Sequence, residues 1–459
     1  KKTWKRPMEY RNFLDQHPVG PNVCSFIGHS DIRIAAMGLE RATSNVKPTK
    51  VEIAKMKDHL HQALDAGMMG LSVMTTRIDK MDGDRAWSQA LPSTYSDWKE
   101  FRELFSILRK RKGILQGAPD AVGKINIFAF LWESIGWFRE SLRMTLLTAM
   151  DLKAQPLLPL MAMISGAGAN KILGGNFRWQ FLSKPFQLHV DGLDFGNFEE
   201  FSSGELLKNC KSHKEQVVLL QDPDYRKKFK REIKSLWGVG LWNRDFSDCF
   251  IVECPDQSMI GKSFAELGHM QGKDPVDAFF DLAMQCGEGL RWQTTLTNNR
   301  PHVMHKMMKS PSLQVGFADS GAHVRNMANY NFPLRFLKYA RDADLAGTPV
   351  MDIGAAVRRL TGELADWFGL DAGYIRVGAR ADIVVINPEG LSGDLDQVKE
   401  AEMEDFGIVR LVNRNDSAVL ATVINGRLAY DNVNGFSNDL GQSQNYGRFL
   451  PGGHISARC

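Results

Sequence analysis

The sequence predicts an α/β fold: a closed (β/α)8-type barrel followed by a small separate β domain. Three observations carry this. Short apolar runs alternate with stretches of helical periodicity over residues 1–370, the pattern of repeated βα units and a mostly parallel sheet. The number of repeats favours a closed barrel over an open two-layer sheet. No G-x-G-x-x-G or G-x-x-x-x-G-K-[ST] run is present to mark a dinucleotide or nucleoside triphosphate site. After residue 370 the texture changes: "GYIRVGARADIVVINPEG" (373–390) and "VLATVINGRLAYDN" (419–432) are β-rich with tight glycine turns, and no helix is expected between them.

Taken in order, "NVCSFIG" (22–28) reads as a strand ending in glycine, and "VEIAKMKDHLHQALDAG" (51–67) as a helix stopped by Gly67, with Ile53, Met56, Leu60 and Leu64 on one stripe. "MMGLSVM" (68–74) is the next strand. "SDWKEFRELFSILRKRKG" (96–113) is a helix with Ser96 as its cap, Trp98, Phe101, Phe105 and Leu108 inward, and basic residues in its last turn. Strands follow at 114–120 and 144–154, with an apolar helix, "INIFAFLWESIGWF", between them. Later strands are expected at 186–190, 249–254, 292–297 and 313–318, and helices near 275–286, 332–343 and 350–368. The rhythm breaks at about 195–248, where "DPDYRKKFKREIKSLWG" reads as a basic amphipathic helix inside an insertion. The expected division is therefore a barrel over 1–370, a β domain over 371–435 and a tail over 436–459.

With 459 residues the chain can bury a large core, and its 43% hydrophobic and 24% charged composition is that of an ordinary globular protein. A formal charge of +4 is too mild to argue for nucleic acid or an acidic membrane surface. Six scattered cysteines without a C-x-x-C pair fit a reduced, cytoplasmic setting. The longest apolar stretch, "PLLPLMAMISGAGA", is broken by prolines and too short for a bilayer. Lys1–Arg6 is basic but is not followed by the apolar run of a signal peptide. Without an initial methionine, the chain is read as a processed product or one lacking its beginning.

In a barrel of this kind, side chains at the C-terminal strand ends converge on the face that carries the chemistry. The polar residues at such positions are His29 and Asp31, Gln116 and Asp120, Asp151 and Lys153, then Asp319 and His323. Asp319 has the strongest case: in "QVGFADSGAHV" an apolar strand closes on a carboxylate, which costs desolvation unless a cation or hydrogen bonds compensate. The alternative is an Asp capping the turn behind it. His323 is either a substrate contact or a packed histidine. His29 in "GHSDIR" is placed on the active face, against the alternative of a satisfied structural histidine. Asp151 and Lys153, two apart in extended chain, form either a ligand-plus-cation pair or a structural salt bridge. His59 and His61 diverge around a helix and read as surface residues; His302 and His305 share a helix face but lack a carboxylate partner.

"NVCSFIGHSDIR", "ALDAGMMGLSVM", "VGFADSGAHV" and "IRVGARADIVVINP", in that order, resemble the D-aminoacylase (N-acyl-D-amino-acid deacylase) branch of the amidohydrolase superfamily. The resemblance spans about 20–430 and implies a distorted TIM barrel with a small β-sandwich, and hydrolysis of an amide C–N bond at a zinc-class metal. It gives Asp319 contact with the metal and the proton of the attacking water, and it matches Lys153 to a lysine near the substrate carboxylate. It matches "GHSDIR" to a segment near the pocket.

The sequence also departs from this pattern. The H-x-H or H-x-D-x-H motif of the first barrel strand and the cysteine ligand after it are absent, so the N-terminal part of the barrel is expected to lie upstream or on a separate chain fragment. The places of two later ligand histidines hold Gln116–Ala118 and Asp151. Oxygen ligands are competent at zinc, so Asp151 is expected as a ligand beside Asp319, with one ion rather than two. His29 or His323 is assigned to the amide carbonyl, and Lys153 or Arg325 to a substrate carboxylate. The expected activity is deacylation of an N-acyl (D-)amino acid, a small-molecule substrate, with no nucleic-acid or membrane partner and with homo-oligomerisation open. The rival readings are a hydrolase of cyclic amides or esters on the same scaffold, and a non-catalytic, metal-free barrel subunit.

Overall fold

The computed structural model describes residues 4–76, 79–81, 85–120, 125–153, 155–235, 240–319, 321 and 323–452. Five parallel strands come first: β1 (Ile27–Gly28), β2 (Gly70–Met74), β3 (Ile114–Ala118), β4 (Arg143–Leu146) and β5 (Asn176–Phe181), each paired with the one before. The chain then leaves the sheet for β6 (Phe186–Asp191), β7 (Cys249–Glu253) and β8 (Arg291–Thr297), and returns as β9 (Leu313–Val315), which pairs with β5 in parallel. Among the described residues the parallel sheet thus has six strands, with β1 and β9 at its edges.

Strand alternation decides what each face of the sheet meets. Leu71, Leu115, Met144 and Phe177 share one register row, and Val73, Gly117, Leu146, Trp179 and Leu313 another two residues on. Apart from Gly117, these side chains belong to the main core, packed on the outer helices. The side chains facing the inside of the sheet are mostly polar: Ser72, Gln116, Thr145 and Arg178 in one row, then Gln180 and Gln314, with Met74 and Ala118 as apolar members. Gly70 is required where β2 meets β3, because a Cβ there would come within 1.9 Å of the Ile114 carbonyl oxygen.

The helix Lys50–Asp65 starts on a capping box, with Glu52 N donating to Thr49 Oγ1 and Thr49 N donating to the Glu52 carboxylate. The helix Trp98–Lys110 is capped by Asp97, whose Oδ1 accepts from Glu100 N at 2.9 Å, so the cap lies one residue beyond the expected Ser96. The N-terminal end of the sheet is closed by the helix Gly362–Phe368: Trp367 packs with Met69 and Ile114, and its Nε1 donates to Asn176 Oδ1 at 3.0 Å.

The expected barrel strands at 186–190, 249–254 and 292–297 are strands, but of a different sheet. β6, β8 and β7 pair antiparallel in that order and cover a second core with Phe195, Phe198, Trp242, Phe279 and Trp292 at its centre. The excursion between β5 and β9 is therefore wider than the expected insertion at 195–248, since a short apolar run does not reveal the direction in which it pairs. The basic helix Pro223–Ile233 belongs to this part and ion-pairs with the helix Pro275–Cys286 through Arg226 and Lys230 on Asp277.

The C-terminal strands are β10 (Ile383–Ile386), the hairpin β11 (Lys399–Met403) and β12 (Ile408–Val412), then β13 (Val419–Ile424), β14 (Arg427–Asp431) and β15 (Gly435–Phe436). β10, β13, β14 and β15 form one antiparallel sheet. The segment expected to be a tail runs back along the first residues: Leu450 N donates to Val23 O at 2.7 Å and Gly452 N to Gly67 O at 2.8 Å. No helix among the described residues is long and apolar enough to cross a membrane.

Candidate active site

Parallel strands deliver the segments that follow them to one end of the sheet. The one after β9 has an unusual backbone: Phe317 and Asp319 are both left-handed, with φ of 73° and 48°, a conformation that costs a residue with a side chain. This turn presents Asp319 to His323, with His323 Nε2 3.6 Å from Asp319 Oδ2 and both side chains about half exposed. Asp79, beyond the end of β2, faces the same pair. Its carboxyl is raised above the ordinary range, by the protein packed around it and then by the Asp319 charge, with His323 opposing. The Asp319 carboxylate and the His323 imidazole thus meet at the mouth of the sheet, within the electrostatic reach of Asp79. Ser320 and Ala322 of the turn lie outside the described residues.

The segment is held from both sides. Gly316 N donates to Phe181 O at 3.1 Å, extending the β5–β9 ladder. His189 N on β6 donates to Asn326 O at 2.7 Å, and Asn326 Nδ2 returns to His189 O at 3.0 Å. Leu411 N on β12 donates to Val324 O at 2.8 Å. Phe317 stacks on Phe186, with ring centroids 6.0 Å apart.

The other expected site residues are placed differently. Asp151 is fully buried, and its carboxylate is taken by Arg300, whose Nε lies 3.0 and 2.9 Å from Oδ1 and Oδ2. Asn298 fixes its backbone, accepting from Asp151 N at 2.9 Å and donating to Asp151 O at 3.0 Å. The carboxylate expected as a metal ligand is paired here with a guanidinium supplied by the chain after β8, which compensates the buried charge. Its companion Lys153 does not pair with it: Nζ donates to Asp248 at 3.0 Å and Asp245 at 3.1 Å, and these hydrogen bonds, that to Asp248 foremost, raise its pKa. Arg325 is spread over Asp191, at 3.1 and 3.2 Å, and Glu400 at 3.3 Å. Arg291 engages the same two acids, at 3.2 and 2.7 Å, so four charges tie β6, β8, β11 and the segment after β9 together.

His29 starts the helix His29–Met37 and is fully buried. Its Nδ1 is 2.9 Å from Ser93 Oγ, its Nε2 is 3.1 Å from Glu100 Oε1, and its ring packs on Phe101. Arg33, also buried, donates to Glu100 and to Ser96 Oγ. Burial lowers the His29 pKa, with Glu100 opposing. The "GHSDIR" segment is thus a packed polar network between two helices, the alternative the sequence left open, and His29 is not brought to Asp319.

Sequence reasoning missed Asp79, Arg300 and two buried basic side chains after β5, Lys184 and His189. Lys184, nearly fully buried, donates to Ala328 O at 3.3 Å, and burial, then the Arg335 charge, lowers its pKa to about 8. His189 is lowered to about 4 by burial, then by Arg291 and Lys184. The "SKP" after an apolar run was the signal for Lys184. Among the described residues no three His, Cys, Asp or Glu side chains form a metal-binding set. The donor pair whose chemistry fits a zinc-class ion is the carboxylate and imidazole of Asp319 and His323.

No protein-family model matches the chain. Among solved structures it is similar to an N-acyl-D-glutamate deacylase from Bordetella bronchiseptica, complexed with zinc and a phosphonate inhibitor, at a TM-score of 0.56 and 17% identity over 97% of this chain and 75% of that one. It is similar to a D-aminoacylase at a TM-score of 0.54, with the same identity and coverage. The chain thus shares the fold of these D-aminoacylase-type enzymes, the barrel and β-sandwich that the resemblance implied. In sequence the chain is 45% identical, over 99% of its length and 76% of theirs, to uncharacterized proteins of Mycobacterium tuberculosis and Mycobacterium bovis. It belongs to the same family as these mycobacterial proteins.

Proposed function

We propose that the protein hydrolyses an amide C–N bond, and that its substrate is an N-acyl amino acid, most naturally one of D configuration. The observation that carries this is the turn after β9, where a costly left-handed backbone turns Asp319 toward His323 at the mouth of a parallel sheet of D-aminoacylase type. Asp319 and His323 would hold a zinc-class ion, and their being a single pair, with Asp151 committed to Arg300, favours one ion over two. When bound, such an ion polarises the amide carbonyl and lowers the pKa of water toward ~7.

The chain's own groups do the rest. Asp319 accepts the proton of the attacking water and passes it to the leaving amine. His323, holding the ion through one ring nitrogen, has its other ring N–H left to steady the developing oxyanion. Lys153 is the cation for a substrate carboxylate: two of its three ammonium protons are taken by Asp245 and Asp248, whereas the guanidinium of Arg325 is engaged at Nε, Nη1 and Nη2.

The test is release of free amino acid from a panel of N-acyl D- and L-amino acids, with metal content measured on the same preparation. Asp319→Asn should lower kcat by roughly 10²–10⁴ with the fold intact. Near-normal activity in that variant removes Asp319 from the mechanism. A protein with neither bound metal nor activity on the panel favours the metal-free barrel subunit instead.

A further inference from the structure

Two outer helices of the barrel are built inside out. The helix Leu158–Lys171 turns Pro159, Ala162, Gly166 and Ala169 toward the core, and Gly166 lies so near the sheet that a Cβ would meet Ser312 Cβ at 2.8 Å. Its large apolar side chains point the other way: Leu160, Met161 and Ile164 are at least half exposed, as are Leu157 and Ile172 at its ends. Its only charge is Lys171. The neighbouring helix Ile125–Ser134 buries Phe130 and its one charge, Glu133, and exposes Phe128 and Trp132, four residues apart on one face. The turn after it adds exposed Trp137 and Phe138, and Trp137 Nε1 donates to Ile172 O at 3.1 Å, joining the two helices' apolar faces. A helix on the outside of a water-facing barrel should carry its polar residues outward.

We propose that this face is the interface with a second copy of the chain. Area is the first argument. The four rings, 56–89% exposed, leave roughly 550 Å² open. The five aliphatic side chains, 50–70% exposed, add roughly 250–300 Å². The total of about 800 Å² is one partner's share of a standard stable interface. Self-complementarity is the second. A two-fold interface sets one patch against itself, and this patch is apolar at its centre, with Arg139, Glu140 and Lys171, charges of both signs, exposed at its rim.

Other occupants fit less well. These helices follow β3 and β4, which are paired on both sides in the middle of the sheet, so further chain extending that sheet would meet it at β1 or β9 instead. A membrane-surface helix would carry a lysine- and arginine-rich polar face, which neither helix has.

Sedimentation velocity and light scattering on the purified protein, from low to high micromolar concentration, give the test. The expected result is twice the chain mass, falling to the monomer mass in Ile164→Glu with an unchanged circular dichroism spectrum. Should Ile164→Glu fold poorly, Phe138→Ser, at the most exposed ring of the patch, is the second variant and should also weaken the dimer. A wild-type monomer throughout this range overturns the proposal, as does a dimer that both substitutions leave intact, or a monomer that binds zwitterionic lipid vesicles through this face.

Discussion

Replacing Glu100 by alanine separates scaffold from site in the "GHSDIR" segment. Glu100, Arg33 and His29 are all buried. The carboxylate accepts from Arg33 Nη1 and, at 3.0 Å, from Ser96 Oγ, and it lies 3.1 Å from His29 Nε2. Burial opposes its charge, but the hydrogen bonds from His29 and Arg33 outweigh burial and hold its pKa below the ordinary carboxylate range. Alanine leaves the Arg33 guanidinium buried with only neutral acceptors: Ser96 Oγ at 3.1 Å, Ala42 O at 3.2 Å and Val46 O at 3.3 Å. Removing one partner of a buried ion pair costs about 3–5 kcal/mol, a large share of a typical total of about 5–15 kcal/mol. The assay is the urea midpoint followed by tryptophan fluorescence, with kcat measured on the same samples below the transition. A midpoint drop of that size, with kcat per folded molecule little changed, is the expected outcome. The sign with pH follows from the depressed carboxyl: its stabilisation is complete above the unfolded-state pKa and is lost as pH falls through the folded one. A wild-type midpoint would refute the network reading, and a collapse of kcat at an unchanged midpoint would return His29 to the site.

Two further perturbations probe the buried charges. His189 titrates at about 4 rather than 6.5, so the unfolded chain takes up a proton that the native state resists; stability should fall as pH drops from about 6.5 toward 4, by at most about 3 kcal/mol. His189→Gln should flatten that slope when urea midpoints at about pH 7 and about pH 5 are compared, and an unchanged slope refutes the assignment. Arg300→Ala strands the Asp151 carboxylate and should cost about 3–5 kcal/mol, read as a shifted urea midpoint; a neutral result would show that Asp151 has another cation.

What the sequence discloses depends on whether the physics is local. β2, β3 and the helix Trp98–Lys110 are legible because apolar runs, stripes and stop signals lie within each segment. β5 alternates perfectly, "NFRWQF", yet is not legible as an apolar run, because its inward residues Arg178 and Gln180 make it look polar. β6, β7 and β8 have the composition of barrel strands, and only their partners, remote in the chain, make them antiparallel. The site divides along the same line. Asp319 announces itself, since an apolar strand ending in a carboxylate is a local anomaly. Whether Asp151, Lys153 and Arg325 are free to bind a ligand turns on Arg300, Asp245, Asp248, Asp191 and Glu400, which are remote in sequence.

The same remoteness explains why so much chain is spent around one turn. Left-handed Phe317 and Asp319 are costly and persist only where the surroundings over-determine them. The constraints come from three separate elements: the β5 ladder through Gly316, the inserted sheet through His189, Asn326 and the Phe186–Phe317 stack, and the C-terminal hairpin through Leu411. Arg291 and Arg325, shared between Asp191 of β6 and Glu400 of β11, lock the last two together. The insertion and the small β domain therefore act as two walls of one clamp, and the orientation of the Asp319 carboxylate toward His323 is what that clamp sets.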